Sequence, residues 1–287
     1  MSVKTKDKPI TVKYIQKQRE LGEKITMLTA YDYSTAKILD EAGTDILLVG
    51  DSLGMTILGY DNTLNVTMDE MLVFTKAVAR GAKRSFVMAD MPFLSYHVSK
   101  EKAIENAGML IQAGAQAVKL EGASDFIIDI VKHLSEIGIA VMAHIGFTPQ
   151  YINSIGGYYV QGKSYENALK MAEDAKKLEE AGAFAILVEM IPEETAKYLR
   201  ENISVPLIGI GAGRYCDGQV LVIDDIIGKY ADFTPKFAKK YTNIKETILN
   251  TAENYIYEVK NGKFPDEEHI FKLSPEESEK LELYINK

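Results

Sequence analysis

DILLVGDSLG, residues 45–54, is the stretch from which the rest of the chain can be read. Residues 45–49 make a short apolar run with the length and composition of a buried strand. Gly50 follows, then Asp51 and Ser52 side by side, then Leu53 and Gly54. A strand that ends in a carboxylate and a hydroxyl between glycines presents oxygen ligands at a sheet edge.

Working outward, the same unit repeats. Before it stand an amphipathic helix over 11–21, ended by Gly22, a strand over 25–30 leading into Tyr31 and Asp32, and a helix over 34–42, ended by Gly43. After it, Gly59, Asp61 and Asn62 mark a loop excursion over 55–66, and a helix runs over 67–79 to Gly81. Further apolar runs at 86–89, 117–120, 139–143, 184–188, 205–210 and 219–223 read as strands. Helical patterns lie between most of them, at 99–113, 125–137, 164–181 and 192–202, the last with Pro192 at its first position. The segment 147–163 is long and rich in Gly, Tyr, Asn and Gln.

Short apolar strands alternating with amphipathic helices mean parallel strands and right-handed crossovers. Ala42-Gly43, Ala113-Gly114 and Ala181-Gly182 each close a helix just before a strand, an echo about two units apart. Eight strand candidates with this echo favour a (β/α)8 TIM barrel over an open doubly wound sheet. Residues 1–262 are assigned to one barrel domain with its N-terminal helix. A helix over 242–259, ended by Asn261-Gly262, closes that domain. Residues 263–287 form an acidic helical extension, opened by the capping box Ser274-Pro275-Glu276-Glu277.

Composition narrows the function. At 287 residues the length leaves one large or two small domains open, since barrels of about 250 residues are routinely one domain. The 46% apolar and 26% charged fractions suit a globular core, and the net charge of -8 argues against nucleic acid or an anionic membrane as partner. No apolar run approaches the ~20 residues of a membrane span, and the lysine-rich start lacks the apolar core of a signal peptide. A cytoplasmic location follows as the default expectation. The single cysteine, Cys216, allows neither an internal disulfide nor a cysteine-built metal site.

In such a barrel the chemistry sits at the C-terminal ends of the strands. The polar residues there are Asp32, Asp51, Ser52, Asp90, Lys119, Glu121, His144 and Glu189. Asp51, Asp90 and Glu121 form an all-oxygen set that suits a hard divalent cation, Mg2+ first. Lys119 can meet a substrate carboxylate, and Glu189 is a candidate general base if burial raises its pKa. Plainer readings stand beside these. A strand-end aspartate often caps the next helix, which fits Asp32 best. His144 reads equally as a core histidine, and Lys119 as a solvated strand-end lysine. The run Gly209-x-Gly211-x-Gly213 lacks a full dinucleotide fingerprint and reads as a tight barrel rim. Cys216 reads as an inert thiol.

The strings MLTAYD (27–32), VGDSLG (49–54), VMADMPF (87–93), VKLEG (118–122), AHIGFTPQ (143–150), LVEMIP (187–192) and IGIGAG (208–213), with PKFAKKY (235–241) after them, closely resemble the ketopantoate hydroxymethyltransferase family. The resemblance runs from about residue 11 to 262, and Asn65 stands where the family pattern leads one to expect proline. It implies a barrel of the phosphoenolpyruvate/pyruvate type. It also implies Mg2+, the substrate 3-methyl-2-oxobutanoate and the one-carbon donor 5,10-methylenetetrahydrofolate. The product would be 2-dehydropantoate (ketopantoate), at the first step of pantothenate biosynthesis on the coenzyme A pathway. Carried over position by position, Asp51 and Asp90 match metal-binding aspartates that also meet the substrate, and Glu121 a third metal-shell carboxylate. Ser52 and Lys119 match substrate-binding residues, His144 a site histidine, and Glu189 the proton acceptor. The family also implies a homo-oligomer, a decamer.

Two other readings remain. A Mg2+-dependent carbon–carbon lyase or mutase of the isocitrate lyase type would be expected to carry a catalytic cysteine in a loop, and Cys216 lies on the wrong side of the glycine-rich rim for that. A non-catalytic barrel that binds a small acid would have no need of Glu189.

Overall fold

A computed structural model of the chain describes residues 8–230 and 235–285. Residues 1–7, 231–234 and 286–287 lie outside the described residues. The elements run α1 (Val12–Leu21), β1 (Ile25–Thr29), α2 (Tyr33–Ala42), β2 (Ile46–Val49), α3 (Leu53–Thr56), α4 (Met68–Gly81), β3 (Phe86–Asp90), α5 (Lys100–Gln112), β4 (Ala117–Glu121) and α6 (Asp125–Glu136). Then come β5 (Ala140–Gly146), α7 (Ile152–Ile155), α8 (Tyr165–Glu180), β6 (Ala185–Glu189), α9 (Glu193–Asn202), β7 (Leu207–Ile210), β8 (Gly218–Leu221) and α10 (Ile223–Ile226). All eight strands pair in parallel and in chain order, and β8 closes on β1, a complete (β/α)8 barrel.

Local chemistry explains where the helices begin. Thr11, Asp32, Thr67, Ser99, Ser124 and Ser164 each accept a hydrogen bond from a first-turn backbone N–H. Asp32 is therefore spent on α2, where it also bonds the Thr35 hydroxyl at 2.6 Å. Three details depart from the sequence reading. Pro192 is the N-cap of α9, one place before its first turn. The excursion over 55–66 holds the end of α3 and a single 3-10 turn, Thr63–Asn65. Strand β5 continues to Gly146, so His144 lies within a strand and not at its end.

Side chains alternate across a strand, so every second residue faces the barrel axis. The lower half of the interior is apolar: Ile25, Met27, Ile46, Leu48, Phe86, Met88, Ala117, Met142 and Leu187 belong to one buried cluster. Below them Ile15 of α1 closes the N-terminal end. The residues in between, such as Leu47, Val87, Val118, Val141 and Ile186, belong to the larger cluster packed against the helices. Continuing the inward parity upward gives Asp90 on β3, Lys119 and Glu121 on β4, His144 on β5 and Glu189 on β6. The two-residue period thus carries an apolar plug below and charges above.

The lower end is locked by charge. Asp217 accepts from Arg19 at 2.8 Å, from Arg200 at 2.7 Å and from the Leu207 N–H at 3.0 Å. Arg19 further donates to the Arg200, Ile203 and Val205 carbonyls, which ties α1 to the segment after α9.

The glycine run is a packing rim. A Cβ on Gly213 would lie 2.1 Å from the Glu193 Cβ, and one on Gly209 would lie 2.6 Å from the Cys216 sulfur. Cys216 is fully buried, and burial, with Asp217 beside it, pushes its thiol up to about 11. Beyond the barrel stand α11 (Ile244–Lys260) and α12 (Pro275–Ile285), neither with a buried residue. No helix among the described residues is long and apolar enough to cross a membrane.

Candidate active site

Because the strands are parallel, all their C-terminal ends open on one mouth. The Lys119 ammonium stands 3.1 Å from Asp90 and 3.7 Å from Glu121. The Asp51 N–H donates to Asp90 Oδ2 at 3.0 Å, which draws the loop after β2 over β3. Gly50 makes that approach possible, since a Cβ there would lie 2.8 Å from the Ser52 hydroxyl. Ser52 in turn shares a 2.8 Å hydrogen bond with the buried Tyr31 hydroxyl. His144 Nδ1 lies 3.2 Å from Glu121 Oε1, and its Nε2 lies 3.5 Å from Glu189 Oε2. The mouth therefore brings together Asp51, Ser52, Asp90, Lys119, Glu121, His144 and Glu189, and leaves Asp32 outside.

Gln150 was not among the sequence candidates, yet it ties the cluster together. Its side-chain N–H2 donates to Asp51 Oδ2 and to the Met91 carbonyl, each at 2.9 Å. Its backbone N–H donates to Glu121 Oε2 at 2.9 Å. Tyr96 donates to Gln150 Oε1 at 2.7 Å and accepts from the Glu121 N–H at 3.0 Å. Gln150 arrives on a 3-10 turn after β5, Pro149–Tyr151, so no strand-end pattern marks it. Its position inside AHIGFTPQ is the one signal that could have found it.

The electrostatics follow from crowding three carboxylates around one lysine in a dry site. Burial, then the charges of Asp90 and Glu121, push Asp51 well above the usual carboxylate range. Burial raises Asp90 as well, against the pull of Lys119. Glu121 is held below its ordinary value, because His144, Lys119 and the Gln150 N–H together outweigh burial. Burial lowers His144, with Lys119 adding to it, so the imidazole is neutral at pH 7. Burial, followed by the Glu121 charge, pushes Glu189 up to about 8. Glu189 is thus poised near neutrality, as a general base requires.

The backbone around Glu189 is unusual. The next residue, Met190, has φ +47, a left-handed conformation that is rare for a non-glycine residue. Its N–H donates to the Ile210 carbonyl and its own carbonyl accepts from the Gln161 N–H, both at 2.9 Å. On the other side a Cβ on Gly146 would lie 2.5 Å from the Glu189 carbonyl. Glu189 is gripped between β5 and β7.

Oxygen donors dominate the mouth, which suits a hard cation. Among the described residues no three His, Cys, Asp or Glu side chains form a ready cage. Lys119 stands beside Asp90 and Glu121, and both Glu121 oxygens have protein partners. Asp90 Oδ1 is fully buried and meets the Lys119 ammonium at 3.1 Å, with no hydrogen bond of good geometry. Two buried aspartates with raised pKa values, side by side and accepting few hydrogen bonds, fit a hard cation that Asp51 and Asp90 would hold.

Fold and mouth together define the class: a (β/α)8 barrel with its charged residues gathered on the C-terminal strand ends. Solved structures with the same architecture include phosphonopyruvate hydrolase in complex with oxalate and Mg++ (TM-score 0.57, 14% identity, 96% of each chain). Another is 2,3-dimethylmalate lyase, a PEP mutase/isocitrate lyase superfamily member (TM-score 0.57, 13% identity, 96% of this chain and 98% of that one). At such identity the likeness is one of fold.

Sequence carries the assignment further. The model of the ketopantoate hydroxymethyltransferase family matches residues 9–267, and the chain belongs to that family. It is 52% identical over 273 residues to 3-methyl-2-oxobutanoate hydroxymethyltransferase of Syntrophomonas wolfei, covering 95% of this chain and 99% of the relative. It is 55% identical over 262 residues to the protein of the same name from Caldicellulosiruptor saccharolyticus, covering 91% and 99%. The Thermotoga neapolitana protein of that name is 56% identical over 249 residues, 87% and 92% of the two chains.

Proposed function

We propose that this chain transfers a hydroxymethyl group from 5,10-methylenetetrahydrofolate to 3-methyl-2-oxobutanoate, forming ketopantoate, with Mg2+ held by Asp51 and Asp90. The observation that carries this reading is Glu189. It is a carboxylate pushed up to about 8 by burial, facing inward toward a cluster that can hold the 2-oxo acid.

Held there, Mg2+ would supply a Lewis acid for the 2-oxo acid. The chain's own groups do the rest. Lys119, held in its charged form by the acids around it, meets the substrate carboxylate from the floor of the mouth. Ser52, oriented by Tyr31, contacts the same end. Glu121 stays ionised, would add its negative charge to the surroundings of the cation, and fixes the His144 ring. Glu189 takes the C3 proton. The C3 electron pair forms a bond to the methylene carbon of the donor, water supplies the hydroxyl oxygen, that carbon's two bonds to folate nitrogens break, and the two nitrogens take up the proton from Glu189 and the one left by water. His144 Nε2, buried, without a hydrogen bond and turned to Glu189, steadies the protonated base.

Cys216 bears on the lyase reading. It sits next to Asp217 at the lower end of the barrel, with a raised thiol pKa, and serves no loop at the mouth.

The test is exchange of the C3 proton of 3-methyl-2-oxobutanoate with deuterated water, followed by NMR with Mg2+ present. The wild type exchanges; Glu189→Gln loses about 10²- to 10⁴-fold in rate. Equal exchange in the two proteins would sink the assignment of the base. Magnesium binding is tested separately: titration of Asp51→Ala with Asp90→Ala should show no tight site.

The catalytic unit spans residues 1–262, with 263–287 as an extension, and the protein works in the cytoplasm. It assembles as a homo-oligomer, a decamer. Ile248, Tyr255, Ile256 and Val259 of α11 are all exposed in the single chain, an apolar helix face of which Tyr255 also meets the Phe264 ring edge-on. Sedimentation equilibrium should return the mass of ten chains; a monomer would refute this part.

A further inference from the structure

Across the mouth from the aspartates, the loop after β5 raises an aromatic surface beside Glu189. The Phe147 N–H donates to the Glu189 carbonyl at 2.8 Å, so Phe147 is fixed to the base's own backbone. Phe147 is fully buried, and the Tyr158 ring packs on it with centroids 5.2 Å apart and planes at 36°. Tyr158 itself is 58% exposed. The loop is anchored again where Gln161 donates to the Met190 carbonyl. Tyr158 therefore rests on a buried ring, at the base, with its outer face open. Burial first, and then the Glu189 charge, raise the Tyr158 phenol, which sets its hydroxyl within electrostatic reach of the base.

The neighbouring rim is basic. The Phe237 ring packs over Gly211, directly beyond the upper end of β7, with a ring atom 2.7 Å from where a Cβ would stand. That contact holds residues 235–241 at the same mouth. Lys236 and Lys239 on this segment are exposed, and the Lys239 ammonium stands over the Tyr241 ring at 4.9 Å. In a chain of net charge -8, two solvent-facing lysines on a segment that reaches the Tyr158 loop through Gly211, Ile210 and Met190 are a local reversal of sign.

From this juxtaposition we infer that the exposed face of Tyr158, backed by Phe147, and the Lys236/Lys239 rim form the subsite for the folate donor. The pterin stacks on Tyr158 and the glutamyl carboxylates extend toward the lysines. The inference rests on the proposed function and gives the donor a place in it. A fused heteroaromatic ring on the tyrosine puts the one-carbon unit on the Glu189 side of the substrate, where the C3 electron pair is released. Stacking recognises the ring without hydrogen-bond readout, and the lysines add affinity with each further carboxylate.

Titration calorimetry with tetrahydrofolate carrying one or three glutamyl residues, in the presence of Mg2+ and 3-methyl-2-oxobutanoate, tests it beside C3-proton exchange without folate. Tyr158→Ala should weaken tetrahydrofolate roughly tenfold or more, while proton exchange, which does not involve the donor, stays within about twofold. Tyr158→Phe should bind like the wild type. Lys236→Glu with Lys239→Glu should abolish the preference for the longer glutamyl chain. Unchanged tetrahydrofolate binding in Tyr158→Ala, or loss of proton exchange in step with binding, overturns the subsite alone. Wild-type protein that exchanges the proton yet binds no tetrahydrofolate overturns the donor itself, and the subsite with it.

Discussion

Glu189 has the most demanding chemical task in the mouth, since it must be a carboxylate strong enough to take a carbon-bound proton near neutral pH. Burial is the main cause of its raised pKa, with the Glu121 charge second. The sign of the pH effect follows. Below its pKa Glu189 is protonated and cannot accept, so proton exchange should rise with pH and level off at or below about 8. A bound cation offsets the carboxylate charges and moves the midpoint downward. Exchange that is flat from pH 6 to 9 would remove Glu189 from the step. Gln150 acts at one remove, as a positioning residue. Gln150→Ala leaves an Asp51 oxygen, the Met91 carbonyl and the Tyr96 hydroxyl without their partner. A cost of about 1–3 kcal/mol is expected for such a loss. It should appear as weaker Mg2+ binding by titration, with the Glu189 pH profile unchanged.

Among the elements, the strands divide the labour by height. Their lower inward residues are apolar and fill the barrel; their upper inward residues are charged and line the mouth. The helices owe their positions to caps and to the apolar face they bury against the strands. Helix α1 is tied on by charge as well, through Arg19 and Asp217. Asp217→Ala leaves the half-buried Arg19 facing three carbonyls without a carboxylate. Removing one partner of such a pair costs about 3–5 kcal/mol. Chemical denaturation should show that loss, while the folded fraction keeps wild-type proton exchange. A stability within about 0.5 kcal/mol of wild type would show that the lock is idle.

For the molecule as a whole, the mouth is a store of unfavourable charge. Asp51, Asp90 and Glu189 all have pKa values raised by folding. A raised carboxylate contributes stability that is fully present below its unfolded pKa and is lost as pH rises through its folded pKa, here up to about 8 for Glu189. Metal-free protein should therefore become less stable between mildly acidic pH and pH 8. Mg2+ should restore what is lost, by about 2.7 kcal/mol at one hundred times its Kd. The stabilisation, read as the Mg2+-induced rise in Tm, should be larger at pH 8 than at pH 5.5. A rise that is the same at both would place the cation away from these carboxylates.

Much of this was legible in the chain itself. Apolar runs broken by capped helices specify local structure through contacts a few residues apart, so alternation, eight strand candidates and the Ala-Gly echo favour the barrel over an open sheet. Asp90 and Glu189 stand out because a charge following four apolar residues needs a reason, and Asp51 and Glu121 because each closes a short apolar run, one past Gly50 and the other past Lys119. Other features were decided only by the closed fold. Asp32 and Asp51 look alike in sequence, yet one caps a helix and the other meets Asp90 across strands. Gln150 enters from a turn, and its partners Asp51 and Met91 lie 99 and 59 residues away. The raised pKa of Glu189 arises from the removal of water by surrounding strands, a property of packing that no local pattern encodes. The sequence determined the strands and which of them end in oxygen. Only closure of the barrel decided which oxygens share one dry space, because Coulomb energy and desolvation depend on distance through space and not along the chain.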